Sequence, residues 1–161
     1  MTGSQTSLAT IHIRPATLDD IRTILHHRRS MYEDMGKRDT RALDIMEVTS
    51  EKYFRSAIVD GSYRGFLAET SDRKVVAGGG IVISHWPAHP GGLHPRRAMI
   101  LNMYTEKEFR RRGIARQLML VMMDWVRREG FPKVGLHASD EGRPLYESLG
   151  FEVSNEMEIR L

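Results

Sequence analysis

The stretch ILNMYTEKEFRRRGIARQLMLVMMDWVRR, residues 100–128, decides the fold. It begins inside a run from Ala98 to Thr105 that is apolar on both faces apart from Asn102, the pattern of a central strand covered on each side. From Gly113 onward Ile114, Leu118, Val121, Met122, Trp125 and Val126 recur at helical spacing, until Gly130 and Pro132 close the run. Arg110, Arg111, Arg112 and Gly113 stand between strand and helix. Free backbone N–H groups and the positive end of the helix dipole meet at such a junction, a glycine lets a ligand come close, and the arginines add charge. The unit predicts an anion cradle, and a pyrophosphate is its natural guest.

Upstream, Ile11 to Arg14 alternates like a short strand and stops at Pro15. Thr17 with Asp20 three residues on reads as a helix start, and Leu18, Ile21, Ile24 and Leu25 share one face of a helix reaching about Met35. A second helix is expected from about Ser50 to Val59, capped by Thr49 or Ser50. Gly65 to Thr70 and Lys74 to Ser84 read as a hairpin turning at Ser71-Asp72-Arg73, with Gly78-Gly79-Gly80 marking a bulge or a close backbone approach. The run from His85 to Pro95 is a proline- and glycine-rich loop. Downstream, Lys133 to His137 predicts a strand, Glu141 to Leu149 a short helix closed by Gly150, and Phe151 to Arg160 a last strand. Helices alternating with strands give an α/β class, a single three-layer α/β/α domain over residues 11–161 preceded by a flexible tail over residues 1–10.

A chain of 161 residues suits one core. With no cysteine, a disulfide framework, a thiolate metal site and a cysteine nucleophile are all excluded. No apolar run is long enough to cross a bilayer and the first ten residues lack a signal peptide's apolar stretch, so a cytoplasmic protein with no membrane partner is expected. The net charge is +3, with arginines bunched at Arg96-Arg97, Arg110 to Arg112 and Arg127-Arg128. No aromatic residues interleave with these clusters in a nucleic-acid motif, so no nucleic-acid partner is expected. His85, His89 and His94 lie in a loop that fixes no ligand geometry, and no metal is expected. His26 and His27 read as residues of a helix surface.

On Arg110, Gly113 and Ala115 the chain resembles the GNAT family of N-acetyltransferases, whose pattern there is arginine or glutamine, two residues, glycine, one residue, then glycine or alanine. A second stretch, His137 to Phe151, is similar to the family's segment of asparagine, two residues, alanine, three residues, tyrosine, with glycine and phenylalanine soon after. Tyr146, Gly150 and Phe151 fit, whereas Ser139 stands for the asparagine and Gly142 for the alanine.

The resemblance implies a mixed, largely antiparallel sheet whose middle strands, ending at Thr105 and Ala138, splay apart to admit the pantetheine arm of acetyl-CoA. Met103, Tyr104 and Thr105 would present backbone groups to that arm, Arg110, Arg111, Arg112, Gly113, Ile114 and Ala115 would hold the pyrophosphate, and Ser139 and Tyr146 would line the site. The implied reaction moves an acetyl group from coenzyme A to a primary amine of a small molecule or an exposed protein amine. In such a reaction backbone N–H groups near Met103 to Thr105 could stabilise the oxyanion formed when the amine attacks the thioester. Tyr146 is the candidate general acid, since a phenol can return a proton to the departing thiolate. No carboxylate stands in the strand Ala98 to Thr105, so Glu106, a relayed water, Glu33 and Asp34 all stay open as routes for the amine's proton. A non-catalytic acyl-CoA sensor is the alternative, and the sequence leaves a homodimer open. Glu33, Asp34, Asp44 and Glu47 form an acidic stretch that could draw a cationic amine, although a solvated acidic loop is the better explanation of them.

Overall fold

The computed structural model describes residues 10–161, so the tail expected over residues 1–10 lies outside the described residues except for Thr10. Among these residues five strands form one sheet in the order β1-β2-β3-β4-β5, comprising β1 (His12–Pro15), β2 (Tyr63–Glu69), β3 (Val75–His85), β4 (Arg96–Thr105) and β5 (Val134–Leu136). The first four pair antiparallel, and β5 joins β4 in parallel, which makes the sheet mixed. Among the described residues four α-helices cover it: α1 (Ile21–Asp34), α2 (Thr40–Asp60), α3 (Ile114–Arg128) and α4 (Arg143–Ser148).

Two apolar clusters show the layering. Leu118, Met119 and Met122 of α3 are fully buried with Ala77, Ile81, Ala98 and Ile100 of the sheet, while Ile21, Ile24 and Leu25 of α1 meet Phe54 and Ala57 of α2 over Tyr63 on the opposite face. The α1 entry follows its local chemistry. Thr17 and Asp20 form the reciprocal capping box, and Asp20 also binds Arg14 of β1, whose Nε reaches Glu69 of β2 at 2.5 Å. The Arg14 guanidinium holds the Asp20 carboxyl below the usual carboxylate range.

Two expectations are corrected. The second helix is 21 residues long and starts at Thr40, because Asp39 rather than Thr49 or Ser50 caps it by accepting from the Ala42 N–H at 3.1 Å. The last strand is absent: residues 151–161 carry no strand, since none of them enters a backbone ladder with β5.

The glycine triplet serves close packing, and the irregularity lies across from it. Gly80 pairs with Leu101 and Gly78 with Tyr104, so Asn102 and Met103 together face Gly79, and β4 bulges with Asn102 in the left-handed region at φ 59°. A Cβ on Gly78 would lie 2.9 Å from His27 Nδ1, and one on Gly80 would lie 2.1 Å from the Tyr63 hydroxyl. Gly80→Ala is therefore expected to displace the buried Tyr63 ring and to lower stability by about 1–3 kcal/mol, read as a fall in the urea midpoint.

Candidate active site

The parallel pair β4 and β5 holds together only over Ala98–Val134, Met99–Gly135 and Ile100–Leu136. Beyond these pairs Leu101 to Thr105 have no strand beside them on the β5 side among the described residues. The gap begins where β4 bulges, so the backbone around Met103 is turned out of its regular ladder beside it. Met103, Leu136 and Tyr146 each pack, half-buried, against the α3 core cluster.

At the far end of β4 the chain turns through Lys107–Phe109 into α3. Arg111 has φ 62° and Gly113, the N-cap, has φ 77°. Left-handed residues at alternate positions gather N–H groups in the manner of an anion nest, and α3 adds its own free N–H groups and dipole. The N–H groups of Arg111, Arg112 and Gly113 make no backbone hydrogen bond among the described residues. A Cβ on Gly113 would meet nothing within 4 Å, so the loop's outer side is open.

The three arginines differ in role. Arg110 is a staple: its Nε donates to the Thr105 carbonyl at 2.9 Å, a terminal nitrogen donates to Asp34 Oδ2 at 2.5 Å, and its guanidinium lies over the Tyr104 ring, 5.4 Å from the centroid. Arg112 donates to the Glu108 carbonyl at 2.8 Å and lies over the Phe109 ring. Arg111 is exposed and forms no ion pair among the described residues. Ile114 is buried in the core, so it offers the cradle only its backbone, and Ala115 follows it in the first turn.

Tyr146 on α4 is half-buried, with its ring 6.1 Å from that of Phe151. Burial raises its hydroxyl above the ordinary phenol value, so it keeps its proton at neutral pH. A Cβ on Gly142 would come within 2.8 Å of this ring, so the glycine lets the Tyr146 ring lie close against the backbone. Ser139 is engaged locally: its Oγ accepts from the Gly142 N–H at 3.1 Å and its carbonyl from the Arg143 N–H at 2.9 Å, fixing the start of α4.

Among the carboxylates, Asp34 is held by Arg110 and by Lys107 at 3.4 Å, and these partners pull its carboxyl below the usual range. Glu33 joins Asp44 and Glu47 around Arg29, which neutralises part of the acidic stretch from within. Glu106 has no arginine partner; its Oε1 lies 2.7 Å from His26 Nε2 and 3.7 Å from His27 Nε2. His27 corrects the surface reading: it is buried, because Gly78 leaves room for its ring, and burial lowers its imidazole to about 4. Sequence reasoning also missed Arg28, which donates to Asn102 Oδ1 at 2.6 Å beside the bulge. A single amide in an otherwise apolar central strand was the available signal, since a buried amide needs a partner.

A sheet parted between parallel strands, with an N–H-lined loop opening a helix at the end of the gap, defines the acyl-coenzyme A N-acyltransferase architecture. The chain belongs to the GNAT family: the family model described as Acetyltransferase (GNAT) family matches residues 23–151. A GCN5-related N-acetyltransferase from Ralstonia eutropha JMP134 is similar at 31% identity, with 94% of this chain and 99% of that one covered and a TM-score of 0.87. A predicted acetyltransferase with acetyl-CoA from Clostridium acetobutylicum is similar at 25% identity, with 94% and 96% covered and a TM-score of 0.84. The glucosamine-6-phosphate N-acetyltransferase of Arabidopsis thaliana shares the fold at 18% identity, with 94% and 98% covered and a TM-score of 0.66. No curated protein matches the chain.

Proposed function

We propose that the protein is an acetyl-CoA-dependent N-acetyltransferase that acetylates a primary amine of a small molecule or an exposed protein amine by direct attack. The observation that carries this reading is the parting of β4 from β5 after Ile100, which runs into the open N–H groups at Arg111 to Gly113. The residues present fit the co-substrate: an elongated arm suits the gap, and a pyrophosphate suits the nest. Acetyl-CoA supplies the activated acyl group when bound.

The chain's own residues then have distinct tasks. Backbone groups of Met103, Tyr104 and Thr105 align the arm along β4, and the cradle from Arg110 to Ala115 anchors its charged end, with Arg110 bracing the loop against Asp34. Ser139 shapes the opposite wall by holding α4 in place. Glu106 takes the amine's proton, a role favoured by the commitment of Asp34 and Glu33 to arginines. Tyr146 supplies a proton to the leaving sulfur. Holding two substrates in one geometry contributes much of the rate in any enzyme of this kind.

Calorimetric titration with acetyl-CoA, followed on the same sample by thiol release against a panel of amines, tests the reading. Saturable binding with release for one amine class is the expected result. Binding without release across the panel would favour an acyl-CoA sensor, and no binding would overturn the assignment.

A further inference from the structure

Two adjacent arginines of α1 have opposite surroundings. Arg29 is met by three carboxylates, Glu33, Asp44 and Glu47, whereas the half-buried Arg28 forms no ion pair among the described residues. The Arg28 guanidinium lies over the Tyr32 ring, 5.2 Å from the centroid. Burial and Asp60 raise the Tyr53 hydroxyl of α2 while the Arg28 charge pulls it down, so α2 borders the same guanidinium. Asp60 itself is taken by the N–H and hydroxyl of Ser62. A charge partly withdrawn from water calls for a counter-charge, and here the protein supplies none.

The β4 bulge beside it shares the deficit. Arg28 Nη1 donates to Asn102 Oδ1 at 2.6 Å, yet Arg28 Nε and Asn102 Nδ2 are both buried with no hydrogen-bond partner among the described residues, and Asn102 as a whole is only 4% exposed. Buried polar groups are nearly always partnered. Both unmet groups are donors, so the pair lacks an acceptor. The side of a guanidinium formed by Nε and a terminal nitrogen is the one that takes a carboxylate through two parallel hydrogen bonds.

The pair also stands on the side from which an amine would arrive. A Cβ on Gly79 would collide with Met103 Sδ and come within 3.1 Å of Met122 Cε, so Met103 lies on the α3 face of the sheet, whereas Asn102 is held from α1 on the other. The cradle opening α3 and the Tyr146 ring belong to the first face. An amine reaching a thioester laid along Met103 to Thr105 therefore comes from the second face, past Arg28. We propose that Arg28, braced by Asn102, binds a carboxylate of the acceptor, so that the substrate is an amino acid or another primary amine carrying a carboxylate; the assignment rests on the N-acetyltransferase reading above.

Thiol release from acetyl-CoA is measured with the standard amino acids, β-alanine and γ-aminobutyrate, each beside its carboxamide, and with phosphoethanolamine. At least one amino acid is expected to exceed its amide in kcat/KM by about 30-fold or more, since a site built around a charged hydrogen-bonding partner rejects the analogue that lacks it. In Arg28→Gln that ratio should fall to about threefold or less, chiefly through KM, while calorimetric affinity for acetyl-CoA stays within about twofold of the parent. A purely structural role for Arg28 predicts an equal loss for acid and amide. Circular dichroism checks the fold of the variant, and if it is unfolded the preference of the parent protein decides. Equal rates for acid and amide, a preference confined to phosphoethanolamine, release only with amines that lack a carboxylate, or an unchanged ratio in Arg28→Gln would each overturn the proposal and leave the N-acetyltransferase reading standing. Acetyl-CoA binding without release from any of these amines would overturn it as well, and no acetyl-CoA binding would overturn the reading beneath it.

Discussion

Gly113→Glu is expected to abolish acetyl-CoA binding, a loss of at least about 100-fold in calorimetric affinity, with the fold retained. Two effects act together. Gly113 has φ 77°, a region in which a non-glycine residue costs on the order of 1 kcal/mol, so the turn itself loosens. The larger effect is electrostatic, because the carboxylate stands at the nest in which the proposed site would hold a pyrophosphate by N–H groups and the helix dipole, and like charges close together repel. The new side chain meets no protein atom within 4 Å at its Cβ, so a general packing defect is not the cause of the loss. Gly113→Ala separates the two effects: it carries the backbone strain without the charge and should weaken binding by only about tenfold, roughly 1.4 kcal/mol. Unchanged affinity in Gly113→Glu would remove the cradle from the cofactor site.

The parts of this site that were legible in the sequence are those written in short-range signals. The Arg110 to Ala115 junction sits at the start of α3 as its spacing predicts, and Thr17 caps the entry to α1 with Asp20. Longer-range geometry was not legible. Arg28 meets Asn102 across 74 residues, and the three glycines of β3 indicate close approach without saying that His27 and Tyr63 fill the space or that the extra residue of the bulge lies on β4. The first half of α2 escaped notice because its buried residues, Leu43, Ser50, Phe54 and Ala57, form a sparse stripe while Ile45 and Val48 face outward. Three adjacent arginines look alike as letters, but Arg110 is spent on bracing Thr105 and Asp34, which only coordinates reveal. The segment from Phe151 does alternate like a strand; a strand also needs a partner edge, and periodicity is silent about that.

Tyr146→Phe is expected to lower kcat by roughly 100-fold, the lower range for loss of a general acid, while acetyl-CoA affinity changes by less than about threefold. The argument begins with packing. The ring rests on Gly142 and near Phe151 and packs against the α3 core, so phenylalanine keeps its shape and apolar contacts and removes only the hydroxyl. Burial holds that hydroxyl above the ordinary phenol value of about 10, so it remains a proton donor at neutral pH and in alkali up to that range. The direction of the shift suits an acid that must be protonated before the thiolate leaves, and a base would need the opposite shift. A proton donor matters most when the leaving group is basic, so the defect should shrink for a thioester whose thiol is more acidic than that of coenzyme A. Thiol-release kinetics on the variant with two thioesters of differing leaving-group acidity measure this directly. A uniform fall in rate with both would assign Tyr146 to shaping the cleft, and an unchanged rate would remove it from the chemistry altogether.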